Sequence, residues 1–397
     1  MHAATQAILT FNHGRDPERL TRKLAAIAAD PFAFFRGTNH LYAASLRDEA
    51  AMCDAPITYV CGDLHLENFG SFKGDNGLVY FDLNDFDDAL VAPLTVDVVR
   101  MLSSVLVAAG QLGLSEAGAM RACEAMLSTY AAVLQTGKPR WLERATAVGM
   151  VATLLRRVKG RKRGALLAEL TTVRKGKRRL VCNSRHALPA DKPVRERARA
   201  ILAAYSKQGH HGHRLALDDA ARRVAGIGSL GLERYMVLAR DELSGMQRLV
   251  DIKRAAPSPW QDLPSLSLPP WGSDARRVAA VQQVMQAASP ALLSAVDMGK
   301  ASYLVKSLQP TADRVDLAHC SNFAALRELL GTMAHAAAWA HLRGCGHQAA
   351  DRIEQLQAFA GGTRWRTGVL RLARHGCAVS VAQWKAYADD YREARGG

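Results

Sequence analysis

The residues of this chain best suited to chemistry lie between positions 62 and 88. Gly62-Asp63-Leu64-His65-Leu66-Glu67-Asn68 follows a short β-branched and aromatic run, Ile57 to Cys61. The Asp63 carboxylate is therefore expected at a strand end, on a tight loop. Gly74-Asp75-Asn76-Gly77 is a hairpin signal; the apolar run Leu78 to Phe81 follows it and leads into Asp82-Leu83-Asn84-Asp85-Phe86-Asp87-Asp88. Such a hairpin returns Asp82 and Asp85 to the Asp63–Asn68 loop. Carboxylates converging on one point repel one another unless a cation joins them. An all-oxygen set suits Mg²⁺ or Mn²⁺ rather than zinc. Phosphoryl transfer uses this kind of set, one carboxylate taking the proton of an acceptor hydroxyl and others holding metal. Aspartates also mark turns. That accounts for Asp75 and Asn76, but not for carboxylates that abut apolar strands, where unpaired charge is costly.

A second candidate is Gly226-Ile227-Gly228-Ser229-Leu230-Gly231. In a dinucleotide-binding unit a helix follows the third glycine, and Asp251 would serve as the ribose-binding acid. In a phosphate flap a strand follows, and a lysine sits on the next strand. Here Leu232 to Leu238 is short and ends at the turn Asp241 to Gly245, and Leu249-Val250-Asp251-Ile252-Lys253 ends in lysine. This favours the flap, with Gly226, Gly228, Ser229 and Gly231 around phosphates. Lys253 alone could equally be an edge-strand solubility residue.

Gly62 to Asn68 resembles the H-G-D-x-H-x-x-N loop of aminoglycoside phosphotransferases and related small-molecule kinases, with Cys61 in place of the first histidine. Asp85-Phe86-Asp87-Asp88-Ala89, with Asp97 beyond it, is similar to the metal-binding stretch of the same enzymes. The resemblance implies a catalytic Asp63, with His65 orienting the loop or donating to a phosphate. It implies Asn68 as a metal ligand together with Asp85 or Asp82; spacing to Asp97 favours Asp85, hairpin length favours Asp82. Asp97 would be structural. Val250 to Lys253 resembles the kinase strand whose lysine holds the α- and β-phosphates. Kinases pair that lysine with a glutamate on the next helix. Asp274 to Ala288 has none, and Gln282 is the substitute partner. The whole chain is also similar to the bacterial domain-of-unknown-function 2252 family, through Pro31 to Gly37, Cys61 to Gly70, Phe81 to Asp88, Val224 to Gly231, Val250 to Ala255 and Met285 to Ser289.

The elements expected to position these residues are of two kinds. Arg222 to Ile227, Glu233 to Arg240, Arg248 to Arg254 and Ser302 to Leu308 read as strands. Val96 to Arg157, Val194 to Tyr205, Asp274 to Ala288 and Phe323 to Arg343 read as helical. The expected class is α+β. By the resemblance it is a protein-kinase-like, two-lobed fold, circularly permuted because Asp63 precedes Lys253. A small antiparallel β lobe over residues 215–310 would bind ATP with Mg²⁺, and residues 1–214 and 311–397 would form a larger helical lobe. The implied activity is ATP-dependent phosphorylation of a small-molecule hydroxyl. The alternatives are a nucleotide-binding pseudokinase with a regulatory role, or a basic nucleic-acid-binding protein.

Length and composition permit all of these. The 397 residues suffice for two cores, and a net charge of +15 favours acidic partners: nucleotides, phosphorylated metabolites or nucleic acid. Cations crowd Arg156 to Arg179, which reads as a solvated basic helix and turn or as a surface for acidic ligands or RNA. Arg36, in Phe34-Phe35-Arg36-Gly37, reads as a structural arginine or an anion clamp, and Asp87 as a further substrate contact. His210, His211 and His213 lack the acidic or cysteine partners that a metal site needs. Seven cysteines without a C-x-x-C pair give no zinc signal, and with no secretory signal they point to a reducing, cytoplasmic setting. The apolar stretch Leu94 to Leu114 contains Asp97 and Arg100, so it reads as a buried helix rather than a membrane span.

Overall fold

The computed structural model describes residues 1–396 except 162–163, 210–211, 265, 267, 310–313, 316, 318–319 and 321. His210, His211, Lys162 and Arg163 therefore lie outside the described residues.

The chain opens with α1 (Ala3–Phe11), α2 (Pro17–Ala29), α3 (Pro31–Gly37), α4 (Asn39–Leu46) and α5 (Ala50–Cys53). Asp16 and Asp30 cap α2 and α3 through Arg19 N–H and Ala33 N–H, each with proline at the first helical turn. β1 (Ile57–Val60) pairs with β4 (Leu90–Pro93), and β2 (Phe69–Lys73) pairs with β3 (Val79–Leu83), which also takes β5 (Leu142–Glu143). This frame places residues 61–68 and 84–89 side by side. α6 (Thr95–Val107) is buried along most of its length, Asp97 and Arg100 included. It packs with α7 (Glu116–Thr136) and α14 (Arg364–Gly396), and α12 (Phe323–Gly344) packs on α7; α8 (Gly149–Gly160), α9 (Ala165–Leu170) and α13 (Ile353–Gly361) complete the helical part.

The second part is a six-stranded antiparallel sheet in the order β12 (Ser294–Met298), β13 (Ala301–Ser307), β11 (Gln247–Arg254), β10 (Arg234–Asp241), β9 (Leu215–Arg223), β8 (Ala187–Pro189). Strand alternation sorts its faces. Val250 and Ile252 join a core with Ile201 and Tyr205 of α10 (Lys192–Lys207), while Asp251 and Lys253 turn to the other side. α11 (Asp274–Met285) follows β11 and packs on β12 and β13. The fold is thus α+β with antiparallel sheets. Among the described residues no helix is long and apolar enough to cross a membrane, and Cys53, Cys61, Cys123, Cys182, Cys345 and Cys377 are free thiols.

Two expectations about the strands need correction. The strand expected from Arg222 runs instead from Leu215 to Arg223, because Gly226 takes a left-handed φ of 73° and ends the extended run. The acidic pair Asp218-Asp219 concealed it: Asp219 is buried and accepts from Leu180 N–H and Arg195. The described residues from Arg156 to Arg179 are the end of α8, α9 and most of the hairpin β6 (Thr171–Arg174) with β7 (Lys177–Leu180), rather than a helix and a turn.

Candidate active site

Asp63 leaves β1 on a loop held from both ends. Gly62 has a φ of 75°, and a Cβ there would overlap the Asp88 carbonyl oxygen, so only glycine fits. The buried Asp97 carboxylate accepts from Cys61 N–H (2.8 Å), Gly62 N–H (2.9 Å) and His341 Nε2 (3.1 Å). Tyr130 Oη pairs with His341 Nδ1 at 2.6 Å, so the phenol donates and the histidine donates onward to Asp97. Asp97 holds the loop by its backbone, the structural role that the resemblance implied. Gly62 O accepts from Asn39 Nδ2 (3.0 Å) and the buried Trp260 Nε1 (2.7 Å), which brings the proline-rich segment after β11 against the loop.

The Asp63 side chain is 22% exposed, and its Oδ1 accepts from Arg100 Nε at 2.8 Å. The Arg100 guanidinium stacks on Phe35 (3.5 Å) and Tyr42 (4.4 Å) and donates to Phe35 O. Burial pushes the Asp63 carboxyl up to about 7; Arg100 opposes this, and Asp88 and Asp85 add to it. His65 Nε2 lies 4.0 Å from Asp63 Oδ2, and its Nδ1 accepts from Glu67 N–H. The ring therefore carries its proton on Nε2, toward Asp63. Burial, with Arg36 and Arg100 nearby, holds it neutral.

Asn68 braces the two acidic loops. Its Nδ2 donates to Asp63 O (3.1 Å) and Asp85 O (2.9 Å), and its Oδ1 accepts from Asp85 N–H (2.6 Å). Its amide oxygen is thus turned to backbone rather than offered to a cation. Asp82 is buried and away from the cleft; it accepts from Arg343 Nη2 (2.8 Å) and its own strand end. Asp85 is the open carboxylate, 45% exposed, with Lys253 Nζ 4.0 Å away. Lys253 bonds Asp87 directly. Burial lowers the Lys253 pKa to about 8, with Asp85 opposing and Lys306 assisting.

Mg²⁺ is usually held by one or two carboxylates together with substrate phosphates, not by an all-protein cage. Asp85 and Asp87 fit that role. Among the described residues no group of three or more His, Cys, Asp or Glu is arranged to hold a metal alone.

Gly226, Gly228 and Ser229 line the same chamber as Asp63, Asp85 and Asp87. Gly231 lies outside it, with a φ of 89° and its carbonyl accepting from Asp16 N–H at 2.9 Å. A strand, not a helix, follows the loop, and Asp251 is filled by Arg223 (2.6 Å) and Arg234 (2.6 Å). Both facts remove the dinucleotide reading. Gln282 is also absent from the cleft: it is buried, its Nε2 donating to Gln286 Oε1 at 3.0 Å. Arg36 stands at the junction of two chambers, paired with Glu67 at 2.7 Å.

Sequence reasoning missed Arg100, Arg314 and the clamp on the glycine loop. Gly228 O accepts from Arg15 Nη1 and from the buried Lys23 Nζ, each at 2.9 Å. Nothing in the spacing of Arg15 and Lys23 marks them as partners of residue 228. Arg100 carried a signal, an arginine inside an apolar helix, but not the identity of its acid.

No curated protein and no solved structure matches the chain. A family described as an uncharacterized protein conserved in bacteria matches residues 15–390, which is nearly the whole length. This chain belongs to that family, DUF2252.

Proposed function

We propose that the protein is a phosphotransferase that holds ATP–Mg²⁺ between the six-stranded sheet and the acidic loops, and phosphorylates a small-molecule hydroxyl. The observation that carries this reading is convergence. Lys253 of the sheet meets Asp87 across 166 residues of chain and lies 4.0 Å from Asp85, and the glycine loop faces Asp63 in the same cleft. A glycine loop between two antiparallel strands, a lysine on the third and a helix after it is the arrangement that the resemblance to kinase-like proteins implies. The reversed order of the acidic and glycine loops then corresponds to a circular permutation. In support, α12 ends against β1: Thr58 Oγ1 donates to His341 O at 2.9 Å, and Ile57 N–H donates to Asp351 at 2.7 Å.

In this account the acceptor oxygen attacks the terminal phosphorus, its proton passes to Asp63 Oδ2, and ADP leaves. Arg100 fixes the other carboxylate oxygen, and His65 orients the loop. Mg²⁺, when bound at Asp85 and Asp87, would neutralise phosphate charge, and Lys253 would then face the phosphates. The chamber beneath the glycine loop has about 90 Å³ free, against roughly 300–1,000 Å³ for ordinary ligand sites. A nucleotide held wholly within that chamber would need the loop to lift from Arg15 and Lys23.

A nucleotide-binding protein without transfer activity is the second reading. It is favoured by α11, where Gln282 is spent on Gln286 and no glutamate reaches Lys253. Thermal unfolding with and without ATP–Mg²⁺ tests nucleotide binding, since a ligand of the native state raises apparent stability by mass action. A shift in the wild type that disappears in Lys253→Ala is expected; no shift at saturating ATP–Mg²⁺ contradicts both readings.

A further inference from the structure

Behind the glycine loop, the cleft continues into a second chamber of about 140 Å³ under the sheet. Six cations line it: Arg36, Arg223, Arg234, Lys253, Lys306 and Arg314. Among the described residues they face three carboxylates, Asp85, Asp87 and Asp251. Glu67 pairs with Arg36 and Arg314 from outside the chamber, and counting it still leaves two positive charges over among the described residues. Lys306 makes no ion pair or hydrogen bond with the described residues. Its cross-strand neighbour Asp251 is already held by Arg223 and Arg234. Among the described residues the buried Nε of Arg36 has no partner either.

A nucleobase is a poor occupant for such walls. An uncharged ring would remove water from these cations and return no counter-charge, which is costly. An anion recovers that cost through charge-assisted hydrogen bonds. We propose that this second chamber is an anion site that receives a phosphate group, with Lys306 as its free ligand. The inference rests on the phosphotransfer reading only for the chamber's place beside Lys253. The phosphate has two sources: the donor's own phosphate chain, reaching past Lys253, or a phosphate already carried by the acceptor.

Calorimetric titration of the full chain with inorganic tripolyphosphate, with adenosine, and with orthophosphate in the presence of saturating tripolyphosphate separates these. Lys306→Glu and Lys306→Met are the variants. Neither strands a partner, and their unfolding midpoints without ligand check that they fold. With the donor as source, tripolyphosphate binds, adenosine does not, and Lys306→Glu weakens tripolyphosphate roughly tenfold or more. With the acceptor as source, orthophosphate binds on top of tripolyphosphate, and only orthophosphate is weakened. In either case Lys306→Met gives a smaller loss and added salt weakens binding. Anion affinities unchanged in a folded Lys306→Glu, or no anion binding to the wild type, overturn the proposal. ATP turnover that needs Asp63 and is indifferent to Lys306→Glu would leave the phosphotransferase standing without the anion chamber. Anion binding that needs Lys306, in a protein that never turns over ATP, would leave the chamber and remove the phosphotransferase.

Discussion

Asp63 and Lys253 are both held near neutrality by burial, from opposite sides. The Asp63 carboxyl is pushed up to about 7 and the Lys253 ammonium down to about 8. A base must be deprotonated, so kcat/KM should rise as pH passes about 7. A phosphate-binding lysine must be protonated, so kcat/KM should fall as pH passes about 8. A narrow bell between these limits is expected, and a profile flat from pH 6 to 9 would contradict both roles. Asp82 and Asp85 separate at this scale as well. Asp82→Asn removes the buried partner of Arg343 and should cost about 3 kcal/mol in denaturant unfolding, with Mg²⁺ dependence retained. Asp85→Asn should leave stability within about 0.5 kcal/mol and abolish Mg²⁺-dependent turnover. The sequence left these two aspartates open because spacing to Asp97 favours Asp85 and hairpin length favours Asp82. What separates them is Arg343, 261 residues away.

At the scale of elements, α6 and α12 carry the loop of residues 61–68 rather than merely packing beneath it. Asp97 gathers two backbone N–H groups and His341, all buried, so one carboxylate joins three segments. Asp97→Asn turns an amide N–H₂ toward one of those donors. It should cost about 3 kcal/mol and speed amide exchange at Cys61 and Gly62 well before global unfolding; exchange unchanged at those two amides would show that the loop is held by other means. The hairpin Phe69–Leu83 and the strand carrying Lys253 were legible, because their apolar runs are bounded by glycine and asparagine turns. β9 was not, since Asp218 and Asp219 make it read as loop until Arg195 and the Leu180 N–H are seen to neutralise Asp219. β12 and β8 were too short and too mixed to signal themselves.

The whole molecule folds back on itself in a way that no local pattern encodes. α14 packs on α1 to α6, and Thr5 Oγ1 donates to Asp390, so the first helices are fixed where Arg15 and Lys23 reach the glycine loop. Arg15→Ala should free that loop, speed amide exchange from Gly228 to Leu230 and raise the ATP–Mg²⁺ association rate severalfold; an unchanged rate would mean that the clamp does not limit entry. The net charge of +15 also divides differently from the way the sequence suggested. Beside the basic segment Arg156 to Arg179, six cations line an internal chamber, and composition cannot distinguish the two. The central claim is that Asp63 takes a proton during phosphoryl transfer from ATP–Mg²⁺. The direct measurement is Mg²⁺-dependent release or transfer of the terminal phosphate, followed by ³¹P NMR, in the wild type and in Asp63→Asn. The account predicts turnover in the wild type and a loss of about 10²–10⁴-fold in the variant; equal rates in the two proteins would contradict it.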